Sequence, residues 1–106
     1  MGIREIAADE LPQLVEAGNP LLVEFSKDHC PWCERIVPEL ERIHGQWEDR
    51  LTMVQLRVDQ APELLEEHGI RGTPTLVLWC DGQRLGSKNG FQRAQQIEAF
   101  LRHHLG

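Results

Sequence analysis

The sequence predicts an α/β fold in which a central mixed sheet of about five strands is flanked by about four helices. Two observations carry the prediction. In the early part of the chain, short apolar runs alternate with segments of helical period, the pattern of parallel crossovers. Further on, Asp81-Gly82 stands between two strand-like runs, and that dipeptide is a strong hairpin signal. The order reads β-α-β-α-β-α-β-β-α, with helices on both faces of the sheet. A length of 106 residues suits one domain, residues 1–106.

Each element has a local reason. Ile3 to Ile6 makes a short first strand. Asp9 to Ala17 carries Leu11, Leu14 and Val15 at helical spacing, and Gly18, Asn19 and Pro20 end it. Leu21 to Phe25 is nearly continuous apolar sequence, as in a strand buried on both faces. Glu34 to Glu48 is helical, with Ile36, Val37, Leu40, Ile43 and Trp47 on one face. Pro38 lies inside that helix and is expected to kink it. Leu51 to Val58 reads as another buried strand. Pro62 to His68 is a short helix, with Pro62 suited to its first turn. Gly69 and Gly72 bracket a turn. Thr75 to Cys80 is a strand and Gln83 to Lys88 its return. Arg93 to His104 closes the chain as an amphipathic helix with Ile97, Phe100 and Leu101 inward.

Composition narrows the function. The chain carries 17 acidic and 11 basic residues, a net charge of −6. An acidic protein is not attracted to nucleic acid or to an anionic membrane surface, so neither partner is expected. No stretch approaches the roughly 20 apolar residues of a membrane helix. The first residues lack the apolar run of a signal peptide, so a cytoplasmic location is expected. Three cysteines are too few for a disulfide framework.

The chemistry concentrates in "HCPWCERIVPEL", residues 29 to 40. Cys30 falls just after a strand and just before a helix. Helix N-termini present unpaired N–H groups and a partial positive charge, and both favour a thiolate. Pro31 fits the first helical turn, since the amide it lacks would be unpaired there. Two intervening residues let the second sulfur close on the first. Cys30 is therefore the better placed nucleophile and Cys33 the resolving thiol. A structural disulfide, a zinc site and an inert pair are the alternatives. So short a loop gains little from closure. Zinc wants four ligands, and His29, His44, His68 and Cys80 are not so spaced. No metal is expected. Cys80 has no sequence partner and is expected to pack at a strand end.

The segment "LLVEFSKDHCPWCERIVPEL" resembles the active-site segment of the thioredoxin family, and "HGIRGTPTLVLWCDGQ" resembles that family's segment around its cis-proline. The resemblance runs over essentially the whole chain and implies the thioredoxin fold. It implies a cis bond between Thr73 and Pro74, with the Thr73 backbone able to pair with an extended substrate. It also implies a counterpart for Gly90 before the last helix. Glu24 falls where the family carries a buried aspartate behind the resolving cysteine. Desolvation would raise its pKa and suit it to accept the Cys33 proton.

The sequence departs from the family pattern at several positions. His29 stands in place of a tryptophan, and the middle pair is Pro31-Trp32 rather than Gly-Pro. A charged His29 would stabilise the Cys30 thiolate and make the couple more oxidising. Trp32 is expected beside the sulfurs, either offered to a protein substrate or folded back on the surface. The family's lysine partner of the buried acid falls at Gln55, which is neutral, with Arg57 a possible substitute on the same strand face.

The expected function is reduction of protein disulfides by dithiol–disulfide exchange through Cys30 and Cys33. A thioredoxin-reductase-like donor would restore the dithiol, no cofactor would be bound beyond the redox-active Cys30–Cys33 disulfide, and the family default is a monomer. The alternatives are an oxidase or isomerase, or a non-catalytic redox-sensing or binding module.

Overall fold

A computed structural model describes residues 3–106. Its elements are β1 (Arg4–Ile6), α1 (Leu11–Glu16), β2 (Leu21–Ser26), α2 (Pro31–Trp47), β3 (Thr52–Arg57), α3 (Glu63–Glu67), β4 (Thr75–Cys80), β5 (Gln83–Asn89) and α4 (Ala94–Leu105). Single 3₁₀ turns at Ala8–Glu10 and Val58–Gln60 precede α1 and follow β3. The five strands form one sheet in the order β1-β3-β2-β4-β5. β1, β2 and β3 run parallel, and β4 and β5 are antiparallel to their neighbours. The expected mixed sheet is present, with the early strands parallel and the hairpin at one edge.

β2 lies at the centre of the sheet and is buried along its whole length. Its side chains alternate between two cores. Leu21, Val23 and Phe25 join Leu11 of α1 and Leu64 of α3 on one face. Leu22 joins Ile36, Leu40 and Ile43 of α2 and Ile97 and Leu101 of α4 on the other. By the same alternation Glu24 and Ser26 point to the α2 side. Trp47 and Trp79 are both core residues. In α2, Val37 is only half-buried, so the buried stripe is narrower than its apolar spacing suggests.

Most element ends differ from the sequence reading by a residue, and three differences have a clear local reason. The first helix begins at Leu11 rather than Asp9, because the chain enters it through the 3₁₀ turn, where Glu10 accepts the Ala7 N–H at 2.8 Å. α2 begins at Pro31 rather than Glu34, so Trp32 and Cys33 are helical. A proline at the first position costs no hydrogen bond, and the Cys30 sulfur caps the end. β3 stops at Arg57, and Val58 starts a 3₁₀ turn. At the hairpin, Asp81 and Gly82 have φ of 55° and 76°, the paired positive values of a turn that matches strand twist.

Candidate redox site

The site is built where three loops meet beside the first turn of α2. Cys30 is the N-cap of α2, in extended backbone, and its Sγ accepts the Cys33 N–H at 3.3 Å. Sulfur thus occupies the place that a serine or aspartate oxygen holds at an ordinary helix start. Cys30 and Cys33 form a disulfide, with Cα atoms 5.2 Å apart. The two sulfurs are unequal in access. Cys30 is half-buried, whereas Cys33 is 2% exposed.

The second loop carries Thr73 and Pro74, joined by the expected cis bond. The Thr73 carbonyl lies 3.8 Å from Cys30 Sγ and the Thr73 hydroxyl 3.6 Å from it. In the disulfide the hydroxyl is the donor to sulfur. Sequence reasoning singled out the Thr73 backbone and missed this side chain.

The third loop carries Gly90. Its N–H donates to the Pro74 carbonyl at 2.8 Å, which ties the start of the α4 loop to the cis-proline loop. Gly90 has φ of 82°, in the left-handed region, and a Cβ there would meet no atom within 4 Å. Backbone conformation alone therefore opposes a side chain. Gly90→Ala is expected to lose about 1–2 kcal/mol of stability in urea unfolding. An unchanged midpoint would contradict that reason.

Trp32 is partly folded back on the domain surface and partly open. Its ring packs against Phe91 at 5.2 Å between centroids, and the Arg35 guanidinium lies 4.6 Å over it. It nevertheless keeps 51% of its surface exposed. Phe91 and Arg35 were not singled out from sequence. Arg35 stands three residues after Trp32, a spacing that brings helical side chains together and signals the pair. His29 is exposed and has φ of 56°, which places it in the sparsely populated left-handed region. The hydrogen-bonding atoms nearest Cys30 belong to Thr73 and Cys33 rather than His29.

Glu24 is 1% exposed in the middle of β2. It is in register with Gln55 on β3 and Leu76 on β4. Gln55 donates to its Oε1 at 2.9 Å, and Oε2 has no protein partner among the described residues. The nearby Ser26 hydroxyl is likewise buried and without a partner. Burial pushes the Glu24 carboxyl up to about 7, opposed by the Gln55 amide, then by the dipole of the Ser26 hydroxyl, which is too poorly placed for a hydrogen bond, then by the Arg57 charge. Arg57 does not take the place of the absent lysine. It is drawn outward to Glu5 at 3.3 Å and Asp28 at 3.0 Å. Gln55, on the same face as Glu24 and directly beside it, supplies the contact instead.

The family model for thioredoxin matches residues 3–103. The chain belongs to the thioredoxin family. It is 34% identical over 88 residues to the thioredoxin of Acidithiobacillus ferridurans, covering 83% of this chain and 82% of that one. It is also 34% identical over 89 residues to the thioredoxin of Alicyclobacillus acidocaldarius subsp. acidocaldarius, covering 84% and 85%. Among solved structures, that of the Malassezia sympodialis thioredoxin superposes with a TM-score of 0.84 at 23% identity, over 98% of this chain and 94% of that one. That last likeness establishes the fold. Membership of the thioredoxin family together with the Cys30–Cys33 pair makes the protein a thiol–disulfide oxidoreductase. No helix of the described residues is long and apolar enough to cross a membrane.

Proposed function

We propose that the protein works as a reductase of protein disulfides, with Cys30 as nucleophile, Cys33 as resolving thiol and Glu24 as the proton acceptor for Cys33. The inequality of the two sulfurs carries this reading, because only Cys30 is open to a substrate. The Cys30 thiolate attacks a substrate disulfide, forms a mixed disulfide and releases one substrate thiolate. Cys33 then gives up its proton, attacks Cys30 Sγ and releases the second substrate thiolate. The Cys30–Cys33 disulfide is left, and two electrons have passed to the substrate. Thr73 and Pro74 line the path of the substrate, Trp32 gives it an apolar wall, and Gly90 ties the α4 loop to the cis-proline loop. A flavoenzyme of the thioredoxin-reductase kind would return two electrons. The protein acts as a monomer in the cytoplasm, without a bound cofactor.

The helix N-terminus, with Pro31 at its first position, supports a stabilised thiolate. An exposed His29 beside it would add positive charge when protonated. The couple is therefore expected to be less reducing than that of ordinary thioredoxin, about −270 mV. Two measurements on one preparation test the proposal. Insulin disulfides should be reduced over many turnovers with dithiothreitol as donor. Equilibration against glutathione should give a potential above the thioredoxin value. Stoichiometric reduction without turnover would identify a sensing or binding module. A potential at or below that of thioredoxin would remove the tuning role of His29.

A further inference from the structure

We infer that Trp32, Arg35 and Phe91 form a recognition wall that selects disulfides flanked by an acidic side chain; the inference deepens the reductase reading and rests on it. Trp32 is the large apolar side chain left most open on the described surface. It sits in the first turn of α2, between the two cysteines, so its distance from the sulfurs is fixed by helix geometry. Phe91 supports the ring from the α4 side and Arg35 covers it from the next helical turn. A ring held in this way loses little rotamer freedom when a substrate arrives.

Arg35 supplies the charge. Its guanidinium is exposed and enters no ion pair among the described residues. Glu39, one turn further along α2, is well spaced to neutralise it. That carboxylate is already engaged by Arg42 at 3.1 Å and by the Ala94 N–H at 2.8 Å. Glu34 is the other acid nearby, about 100° further round the helix and so not on the Trp32 stripe. The open cation thus lies directly on the wall, and a guanidinium stacked on an aromatic ring keeps its edge free for a carboxylate.

Contacts around the nucleophile give the substrate its course. Cys30 Sγ lies against Thr73, Gly90 binds the carbonyl of Pro74, and Phe91 follows Gly90 onto Trp32. A chain held at Cys30 and crossing toward Phe91 passes over the Trp32 ring. An extended segment advances about 3.3 Å per residue, so an aspartate or glutamate one or two positions from the attacked cysteine reaches Arg35. The partner class is an acidic, partly apolar disulfide segment. An exposed pair of this kind corresponds to roughly a two- to five-fold preference.

The test uses three peptides that carry the same disulfide and differ only in Asp, Asn or Lys beside the cysteine. Each is reduced by the full-length protein, with dithiothreitol returning the two electrons. The wild type should rank Asp over Asn over Lys in kcat/KM, mainly through KM, by about two- to five-fold at low salt, and 0.5 M salt should flatten the series. Arg35→Gln should bring the Asp-to-Lys ratio close to one, and Arg35→Glu should invert it. Because each ratio is internal to one variant, a general loss of activity does not disturb it. Equal rates on all three peptides by an active wild type, or an acidic preference retained in Arg35→Glu, would overturn the inference alone. Failure of the wild type to turn over any disulfide would remove the reductase reading and the inference with it.

Discussion

Cys33→Ser is expected to stop insulin reduction after a single chemical event and to accumulate as a covalent adduct with its substrate, whereas Cys30→Ser should form no adduct through the buried Cys33. The two variants remove the same number of sulfurs, so the difference tests the order of attack. With Cys30 intact, its sulfur at the helix N-terminus still opens the substrate disulfide. Without Cys33 no internal thiol can displace that substrate, and the mixed disulfide persists. With Cys30 replaced, the only remaining sulfur of the pair is one that water barely reaches. Turnover should fall by at least about 10³-fold in both variants, as expected when members of one nucleophilic unit are deleted. Intact-mass measurement after mixing with insulin separates them. An adduct on Cys30→Ser of comparable yield, or sustained turnover by Cys33→Ser, would reverse the assignment of nucleophile and resolving thiol.

The elements that position this chemistry are legible in the sequence because local signals agree with one another. The continuous apolar run of β2, the Asp81-Gly82 turn and the amphipathic stripe of α4 each have one economical reading, and the structure follows it. The errors fall at element ends. α2 starts three residues early because the helix is capped by a sulfur, and cysteine is not among the residues that usually announce an N-cap. Side-chain contacts between distant segments are a different matter. Thr73 and Cys30 are 43 positions apart, and nothing in either segment signals that a hydroxyl will face the Cys30 sulfur. The Trp32–Phe91 contact is likewise set by how α2 and the α4 loop pack. Trp32–Arg35 is local, and its spacing is visible in the sequence. The fate of Arg57 also depended on tertiary charge. Strand alternation places it on the Glu24 face, but Glu5 and Asp28 draw its guanidinium out to the surface.

Glu24→Gln is expected to make the protein more stable and a poorer enzyme, with both effects governed by pH. The carboxyl has one hydrogen-bond donor, Gln55, and otherwise faces a desolvated interior. Its pKa stands at about 7 in the folded protein, against 4.5 for the ordinary side chain. The folded state therefore binds the proton more tightly than the unfolded chain. Stability from this residue is fully present below about pH 4.5 and is lost as pH rises through about 7, for a total of about 3 kcal/mol. Glutamine keeps the size of the side chain and carries no charge. The variant should match the wild type in urea midpoint at pH 4 and exceed it at pH 8.5, by an amount approaching that figure. Activity should move the other way. If Glu24 accepts the Cys33 proton, its removal should slow release of substrate from the mixed disulfide by about 10²-fold near pH 7. The deficit should narrow at high pH, where solvent can deprotonate Cys33 without help. Stopped-flow release of a fluorescent substrate thiol would follow that step directly. A stability gap that does not open with pH would show the carboxyl to be neutral for other reasons. An unchanged release rate would leave it a structural acid. A buried, half-satisfied carboxylate is a poor choice for stability, and the proposed proton transfer from Cys33, on the helix above this sheet face, is the use that would offset that cost.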